Sequence, residues 1–252
     1  MSIENEYSRI CDAKPNLKNA LENQNISFED TILLKDYSKY IEQIPYSPST
    51  ELIDIIQKEA TTITVPDGVT QLKNYIFASS SSLVNITLPN SITSIGSNAF
   101  SDCSKLTLTS LPSGLTSIGS GAFENCPKLA LTSLPDSIAS ISYTAFQNDR
   151  SLALTSLPSG VASIYDGAFN NCSSLALTSL PSGITYLGYG AFGNCTSLTA
   201  LTFEGTPKTI ASSAFSGCTS LTTINVPWAE GAVANAPWGA TNATINYNYA
   251  GG

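Results

Sequence analysis

The sequence predicts an α/β solenoid, in which short parallel strands from successive turns stack into one sheet. Three periodic observations indicate this fold. Seven phenylalanines recur on a constant 23-residue grid: Phe77, Phe100, Phe123, Phe146, Phe169, Phe192 and Phe215. A leucine stands six positions after each of them, an aliphatic residue stands five before, and proline recurs on the same grid in most turns. Such a repeat reuses the same core positions in every turn, and stacking buries what no single turn can bury.

Each 23-residue unit contains, in order, a short strand that ends before a proline, a turn, an aliphatic pair, and an Ala-Phe dipeptide on a short helical or 3₁₀ segment. Proline has no N–H to give to a sheet, so it marks the point where the strand leaves the ladder. Eight strands are predicted to end at Val65, Leu88, Leu111, Leu134, Leu157, Leu180, Phe203 and Val226. At roughly 4.8 Å per strand, they make a rod of about 35 to 40 Å.

The segment "SSLVNITLPNSITSIGSNAFSDC" at 81–103 resembles the 23-residue unit of the BspA-like leucine-rich repeats, and the resemblance extends over 61–227. It implies a leucine-rich repeat fold with exposed positions that are free to vary, so it does not specify a function. Four central units depart from the pattern because a threonine follows the leucine where the family has isoleucine. These leucines are Leu108, Leu131, Leu154 and Leu177. A shared bulge or shift of the strand is predicted there.

The charges indicate a domain boundary near residue 60, because 17 of the 30 charged residues precede it. We predict a helical docking or oligomerisation module over 1–50, built from two amphipathic helices. The solenoid then spans 51–227, with 51–60 as a helix that caps its first strand. A C-terminal cap is predicted over 228–252.

Bulky apolar residues near the C-terminus supply a plug for the last turn, with Trp228 and Trp238 as its largest members. The alternating "ATINYNY" adds a final strand. Both ends of the chain also resemble segments of tailed-phage proteins. The N-terminal "DAK…LKNAL" followed by "DYSKYIEQI" is similar to a module near the start of many phage appendage proteins, and "INVPWAEGAVANAPWGATNATINYNYAGG" resembles the closing segment of phage-encoded leucine-rich repeat proteins. The resemblance implies a virion appendage, either a tail fibre or a head fibre.

Composition excludes several function classes. The chain has no histidine, which removes His-dependent nucleophiles, general bases and metal ligands. Its net charge of −8 and lack of a basic run argue against nucleic acid as a partner. The start has neither the basic nor the apolar region of a signal peptide, and no stretch is long and apolar enough to span a membrane. We therefore expect a non-enzymatic protein made in the host cytoplasm, without membrane insertion.

Five cysteines each lie three positions after a repeat phenylalanine: Cys103, Cys126, Cys172, Cys195 and Cys218. Ser80 and Asp149 fill the same slot in other turns. We interpret the cysteines as buried, reduced core residues, since five equivalent thiols cannot pair evenly and a line of thiols does not converge on a metal. No metal or cofactor is predicted. The acidic residues of the repeats stand at unlike positions, so no pair suggests glycoside cleavage.

Tyrosines provide the candidate binding residues. Tyr143, Tyr165, Tyr186 and Tyr189 fall on three successive turns, where other turns have smaller residues. Arg150 is included with them because it makes the same turns, together with Asp149 and Asp166, the most polar part of the repeats. Tyrosine on a rigid scaffold suits recognition of a sugar or a protein, because it stacks and donates hydrogen bonds at low entropic cost. The alternative is that these side chains only cover the edges of the turns.

Together these observations predict a structural and recognition protein of a tailed-phage virion. Residues 1–60 would attach it to other virion proteins, and the repeat surface would bind a protein or glycan of the host cell. A homo-oligomer such as a trimer is a further expectation. Two alternatives remain open: a BspA-like adhesin on a bacterial cell surface, and a capsid decoration fibre without receptor specificity.

Overall fold

A computed structural model of the chain describes residues 60–65 and 67–250. These residues form a parallel β-solenoid of about eight turns. Its strands are β1 (Thr62–Thr64), β2 (Gln71–Leu72), β3 (Asn85–Thr87), β4 (Ser94–Ile95), β5 (Ser117–Ile118), β6 (Ser140–Ile141), β7 (Ser163–Ile164), β8 (Ser179–Leu180), β9 (Tyr186–Leu187), β10 (Ala200–Phe203), β11 (Thr209–Ile210), β12 (Thr223–Asn225) and β13 (Thr244–Asn246). The predicted modules over 1–50 and 51–60 fall outside the described residues, except for Ala60.

The strands form four separate parallel sheets, so the prediction of one sheet is wrong. The sheets fall on two sets of equivalent repeat positions, which we call the first and the second ladder. The first ladder contains the sheets β1–β3 and β8–β10–β12–β13, and the second contains the sheets β2–β4–β5 and β6–β7–β9–β11. Neighbouring strands are parallel, and each pairs with the equivalent positions of the next unit, as in Ile63 with Ile86 and Ile95 with Ile118. The second ladder consists of one residue of each aliphatic pair and the polar residue before it. A strand of two residues is too short to be predicted from its own sequence pattern.

The described residues contain no helix, so the helical or 3₁₀ segment predicted around each Ala-Phe is also wrong there. The hydrogen bonds give the reason. Ala99 N–H donates to Gly96 O within its own turn, whereas Phe100 N–H donates to Ala122 O of the next turn, at 3.3 and 2.8 Å. Because every second amide is taken by the neighbouring turn, a continuous helical ladder cannot form. The described residues therefore have all-β rather than α/β architecture, and no helix long and apolar enough to cross a membrane occurs among them.

The predicted shift in the central units is confirmed. The inward-facing residue after Leu83 is Ile86, three positions later, whereas after Leu106 it is Leu108, two positions later. The next residue, Thr109, is exposed. The shift interrupts the first ladder between β3 and β8, so the strands predicted to end at Leu111, Leu134 and Leu157 are absent from the described chain. The second ladder has its own break between β5 and β6. The central turns are held together by the continuous core and by single hydrogen bonds such as Ala130 N–H to Leu108 O, at 3.1 Å.

The core is continuous along the rod. Its centre is a stack of the seven repeat phenylalanines, with neighbouring ring centroids 5.2 to 5.6 Å apart and ring planes within 18° of parallel. At the C-terminal end, Trp228 and Trp238 pack against Phe203 with centroid distances of 5.3 and 6.1 Å. The strand predicted from "ATINYNY" is present as β13 and pairs with β12. The last turn is thus covered by aromatic side chains and a final strand.

Candidate recognition site

The five repeat cysteines form a buried ladder of free thiols, as their spacing predicted. Each Sγ donates a hydrogen bond to the carbonyl of the phenylalanine 26 residues earlier, at 2.9 to 3.1 Å; Cys103 to Phe77 is one example. Burial raises the pKa of Cys218 to about 11, and it raises the pKa values of Cys126, Cys172 and Cys195 well above 9.0. A protonated, enclosed thiol is neither a nucleophile nor a ready metal ligand. The ladder is therefore part of the core.

Asp149 occupies the cysteine slot of its turn and is fully buried. Its Oδ1 accepts a hydrogen bond from the amide of Cys126 at 2.8 Å, whereas Oδ2 has no partner among the described residues. Burial, reinforced by the negative charge of Glu124, raises the pKa of this carboxyl well above 3.8. The expectation that Asp149 adds polarity to the surface near the tyrosines is wrong, because its slot points inward. It lies in the core and contributes nothing to a surface.

A second polar ladder lies two positions after the phenylalanines. Asn125 donates from Nδ2 to Asp102 Oδ1, Asn148 donates to Asn125, and Asn171 donates to Asn148, at 2.8, 2.6 and 2.7 Å. All four residues have positive φ, between 61° and 67°. Asparagine and aspartate tolerate this conformation better than most residues, which explains their choice here. This ladder was not predicted, although Asp and Asn recur at its positions on the repeat grid.

The structure brings the four predicted tyrosines together, and we call Tyr143, Tyr165, Tyr186 and Tyr189 the tyrosine patch. The rings of Tyr143 and Tyr165 lie 4.8 Å apart between centroids, and those of Tyr165 and Tyr186 lie 5.7 Å apart. Tyr143 and Tyr189 are the outermost members, with 50% and 60% of their surfaces exposed. They occupy equivalent positions of the repeat, with one complete turn between them. The patch is thus an exposed aromatic row along the corner that follows the second ladder.

Asp166 stands in the slot between Tyr143 and Tyr189. Its Oδ1 accepts two hydrogen bonds, from the amide of Tyr189 at 3.0 Å and from the hydroxyl of Tyr186 at 3.2 Å. Its Oδ2 has no hydrogen-bond partner among the described residues. The pKa of Tyr186 is raised by desolvation first, and then by Asp166, Tyr143 and Tyr189. The carboxylate and the aromatic row therefore form one site.

Glycine makes room for this carboxylate. A Cβ at Gly188 would clash with Asp166 Oδ1. The same arrangement occurs in the first turn, where Asn74 Oδ1 accepts from the amide of Ser97 at 2.8 Å beside Gly96. In sequence, such a residue is an Asp or Asn for which the residue 23 positions later directly follows a glycine. In this position one side-chain oxygen satisfies the backbone, and in Asp166 the other makes no hydrogen bond with the described residues.

Arg150 does not belong to the patch. Its backbone amide donates to Asn148 O, on the turn that follows the phenylalanine rather than the one before it. No hydrogen bond, ion pair or ring contact within the described residues joins Arg150 to a tyrosine of the patch. The sequence grouped them because they are close along the chain, but Arg150 follows its repeat phenylalanine, whereas each tyrosine of the patch precedes its own.

The family model described as BspA type leucine rich repeat region matches residues 57–153 and 140–230, with six copies. A T. pallidum leucine-rich repeat protein is 26% identical over 66% of this chain and 72% of its own, with a TM-score of 0.44. A leucine rich cell surface protein from Faecalibacterium prausnitzii is 28% identical over 69% of this chain and 61% of its own, with a TM-score of 0.47. A leucine-rich repeat protein from Bacteroides ovatus is 22% identical over 75% of this chain and 60% of its own, with a TM-score of 0.49. The match thus spans less than two thirds of the length of the last two proteins. A comparison with curated proteins gives no match.

Proposed function

This chain belongs to the BspA-type leucine-rich repeat family, and from that premise we propose that it is a non-enzymatic recognition protein whose tyrosine patch contacts a cell surface. The observation that carries the proposal is the row of four tyrosines on three successive turns, with Tyr143 and Tyr189 at least half exposed and Asp166 bonded to Tyr186 and Tyr189. Aromatic side chains held on a rigid scaffold are the usual anchors of recognition surfaces. The rest of the described solenoid surface consists mainly of small hydroxyl and amide side chains.

The backbone supports pre-organisation of this surface. Tyr143 O accepts from Gly121 N, and Tyr189 O accepts from Gly167 N, both at 2.9 Å. Both tyrosines are therefore fixed to the preceding turn before any ligand arrives. A surface that is already ordered loses little conformational entropy on binding, which favours affinity from a small contact area.

The test is binding of the labelled full chain to a panel of bacterial cells. Replacing all four tyrosines of the patch by serine should abolish binding and leave the melting temperature nearly unchanged, because serine occupies the Tyr143 slot in other turns. Tyr75→Ser is the matched control, since Tyr75 is 62% exposed and lies outside the patch. Undiminished binding by the fourfold variant would reject the proposal.

For its location we propose a tailed-phage virion, with residues 1–60 docking the chain to other virion proteins, in a symmetric oligomer such as a trimer. The support is the resemblance of both chain ends to phage appendage proteins. Mass spectrometry of purified particles, with antibody labelling in the electron microscope, tests this location. Label at the tail tip supports host attachment, and label on the capsid supports decoration. A chain that begins at Thr61 should fold but fail to enter particles.

The second candidate location is a bacterial cell surface, where the chain would act as an adhesin. The family resemblance supports this role, and the tyrosine patch would serve it equally well. Absence of the chain from particles, together with labelling of intact bacterial cells, would favour the adhesin over the virion protein.

A further inference from the structure

We propose that the tyrosine patch binds a neutral saccharide, with sugar rings against Tyr143 and Tyr189 and sugar hydroxyls on Asp166. This inference rests on the proposed function, because it names the ligand class of the same surface. It follows from the chemistry of the exposed groups, from their spacing and from their charge.

The chemistry combines aromatic faces with free hydrogen-bonding groups. Asp166 Oδ2 is unpartnered, and the hydroxyls of Tyr143, Tyr165 and Tyr189 make no hydrogen bond with the described residues. A pyranose has an apolar C–H face and a rim of hydroxyl donors and acceptors. Ligand sites typically join aromatic surface with a few convergent polar groups that fix orientation. The patch offers this combination, since the ring faces can stack on the sugar while the carboxylate accepts from its hydroxyls.

The spacing favours an extended ligand. Tyr143, Asp166 and Tyr189 occupy equivalent slots of three successive turns, so the two exposed tyrosines are two rungs apart, which is about 10 Å at the strand spacing of a sheet. The carboxylate lies between them. One sugar residue against each ring would leave the linking hydroxyls close to Asp166. A chain of sugars along the rod axis therefore satisfies all three groups at once.

The surroundings disfavour a protein partner. A specific protein interface buries about 800 Å² on each side and has an apolar centre. The large apolar side chains exposed on the described surface are Tyr75, Val84, Tyr143, Tyr189 and Tyr249. Only two of them belong to the patch, and the strands beside it present Ser140 and Ser163. Among the described residues, no exposed aliphatic side chain extends the aromatic row into an interface of protein size.

The charge disfavours an acidic sugar. Asp166 is the charged residue in contact with the patch, and it would repel a carboxylate or sulfate on the ligand. Lys208 lies on the neighbouring turn, with its amide on Thr185 O at 2.9 Å, but within the described chain it forms no ion pair with Asp166. Uncharged sugars with vicinal hydroxyls therefore fit the site better than sialylated or uronic acid-containing ones.

The experiment exposes the purified full chain to an array of neutral oligosaccharides and their acidic counterparts. We expect binding to neutral members, reduced at least about tenfold by Tyr143→Ser and by Tyr189→Ser, and unchanged by Tyr75→Ser. Asp166→Asn should also weaken binding without unfolding the turn, because Asn74 performs the same backbone role in the first turn. Binding only to acidic sugars, or to none, would overturn the saccharide assignment.

A second measurement separates this inference from the proposed function. Periodate cleaves vicinal diols on cell surfaces, and protease removes surface proteins. Tyrosine-dependent binding that is lost after periodate and kept after protease supports the saccharide. The reverse result keeps the recognition role and replaces the sugar by a protein. Cell binding that ignores the tyrosine substitutions rejects both.

Discussion

The backbone amide of Cys126 donates a hydrogen bond to Oδ1 of Asp149, 2.8 Å away on the next turn of the solenoid. Asp149 thereby interrupts a ladder in which every other described member after Ser80 is a cysteine. The corresponding thiols donate to the phenylalanine carbonyl 26 residues earlier, and for Asp149 the equivalent carbonyl by repeat spacing is that of Phe123. An ionised carboxylate cannot donate to it, whereas a protonated one can. The middle of the core therefore contains a group whose charge state determines its fit.

The first prediction concerns pH. The folded-state pKa of Asp149 lies above its unfolded value, so the protonated form stabilises the folded state. The contribution of Asp149 to the free energy of unfolding is fully present below the unfolded-state pKa and is lost as pH rises through the folded-state pKa. The free energy of unfolding in urea, measured across the pH range, should show this fall in the wild type and a smaller fall in Asp149→Asn. Asp136→Asn, at an exposed position, is the control. Equal slopes for Asp149→Asn and the wild type would contradict the prediction.

The second prediction is that Asp149→Cys stabilises the protein. It completes the thiol ladder and removes a buried carboxyl oxygen that has no hydrogen-bond partner in the described part of the chain. At neutral pH we expect a gain of about 1 to 3 kcal/mol, the usual cost of an unsatisfied buried polar group. Urea unfolding at neutral pH measures it. A loss of stability would show that the cavity fits the carboxyl better than the thiol.

The third prediction concerns thiol reactivity. Cys103, Cys126, Cys172, Cys195 and Cys218 are buried, so a thiol reagent should leave these five unmodified in the folded protein and label them after denaturation. Mass spectrometry of peptides after brief labelling identifies each site. Rapid labelling of Cys126 or Cys195 in the native protein would mean that the core opens far more often than its packing indicates.

The fourth prediction concerns the asparagine ladder. Asn148 has φ 67° and takes part in two side-chain hydrogen bonds between turns. Asn148→Ala should cost about 1 to 3 kcal/mol, because it removes both bonds and strains the backbone. Asn148→Gly removes the same bonds without strain, so it should cost less than the alanine variant. Thermal unfolding ranks the two variants, and the reverse order would refute a role for the backbone conformation.

The fifth prediction tests the phenylalanine stack. Phe146 is fully buried between the rings of Phe123 and Phe169, at 5.6 and 5.5 Å. Phe146→Ala should lower the free energy of unfolding by about 3 to 5 kcal/mol, because it leaves a cavity at the centre of the core. Phe146→Leu retains most of the volume and should cost less. Equal losses in urea unfolding would indicate that ring stacking, rather than filled volume, determines stability.

The repeat grid was sufficient to predict the solenoid and its core, because every turn places the same apolar residue in the same environment. It did not reveal the second ladder. A pair such as Ser94-Ile95 forms a strand only because the same pair stands beside it one turn later. Such a strand has no internal period, and its identity depends on the equivalent pair in the neighbouring turn.

The site was predicted in part for a similar reason. Residue type marked the tyrosines, and their grid positions placed them on adjacent turns. Asp149 and Asp166 are both acidic residues of the repeats, yet one is buried in the core and the other supports the tyrosine patch. Slot position separates them: Asp149 takes an inward slot that cysteine fills elsewhere, whereas Asp166 takes an outward slot that serine fills elsewhere. Arg150 was grouped with the tyrosines by proximity along the chain, yet no contact within the described residues joins it to them.

The constant repeat length makes the length of this rod a modular property. Both ladders pair equivalent positions of successive units, so the loss or gain of one whole unit moves everything beyond it by one rung, roughly 4.8 Å. The contacts within all other units remain as they were. Recombination between the near-identical "LTLTSLP" at 106–112 and "LALTSLP" at 129–135 would remove or duplicate one unit that carries none of the four tyrosines. It would thereby change how far the tyrosine patch stands from one end of the chain, and hence the reach of the protein.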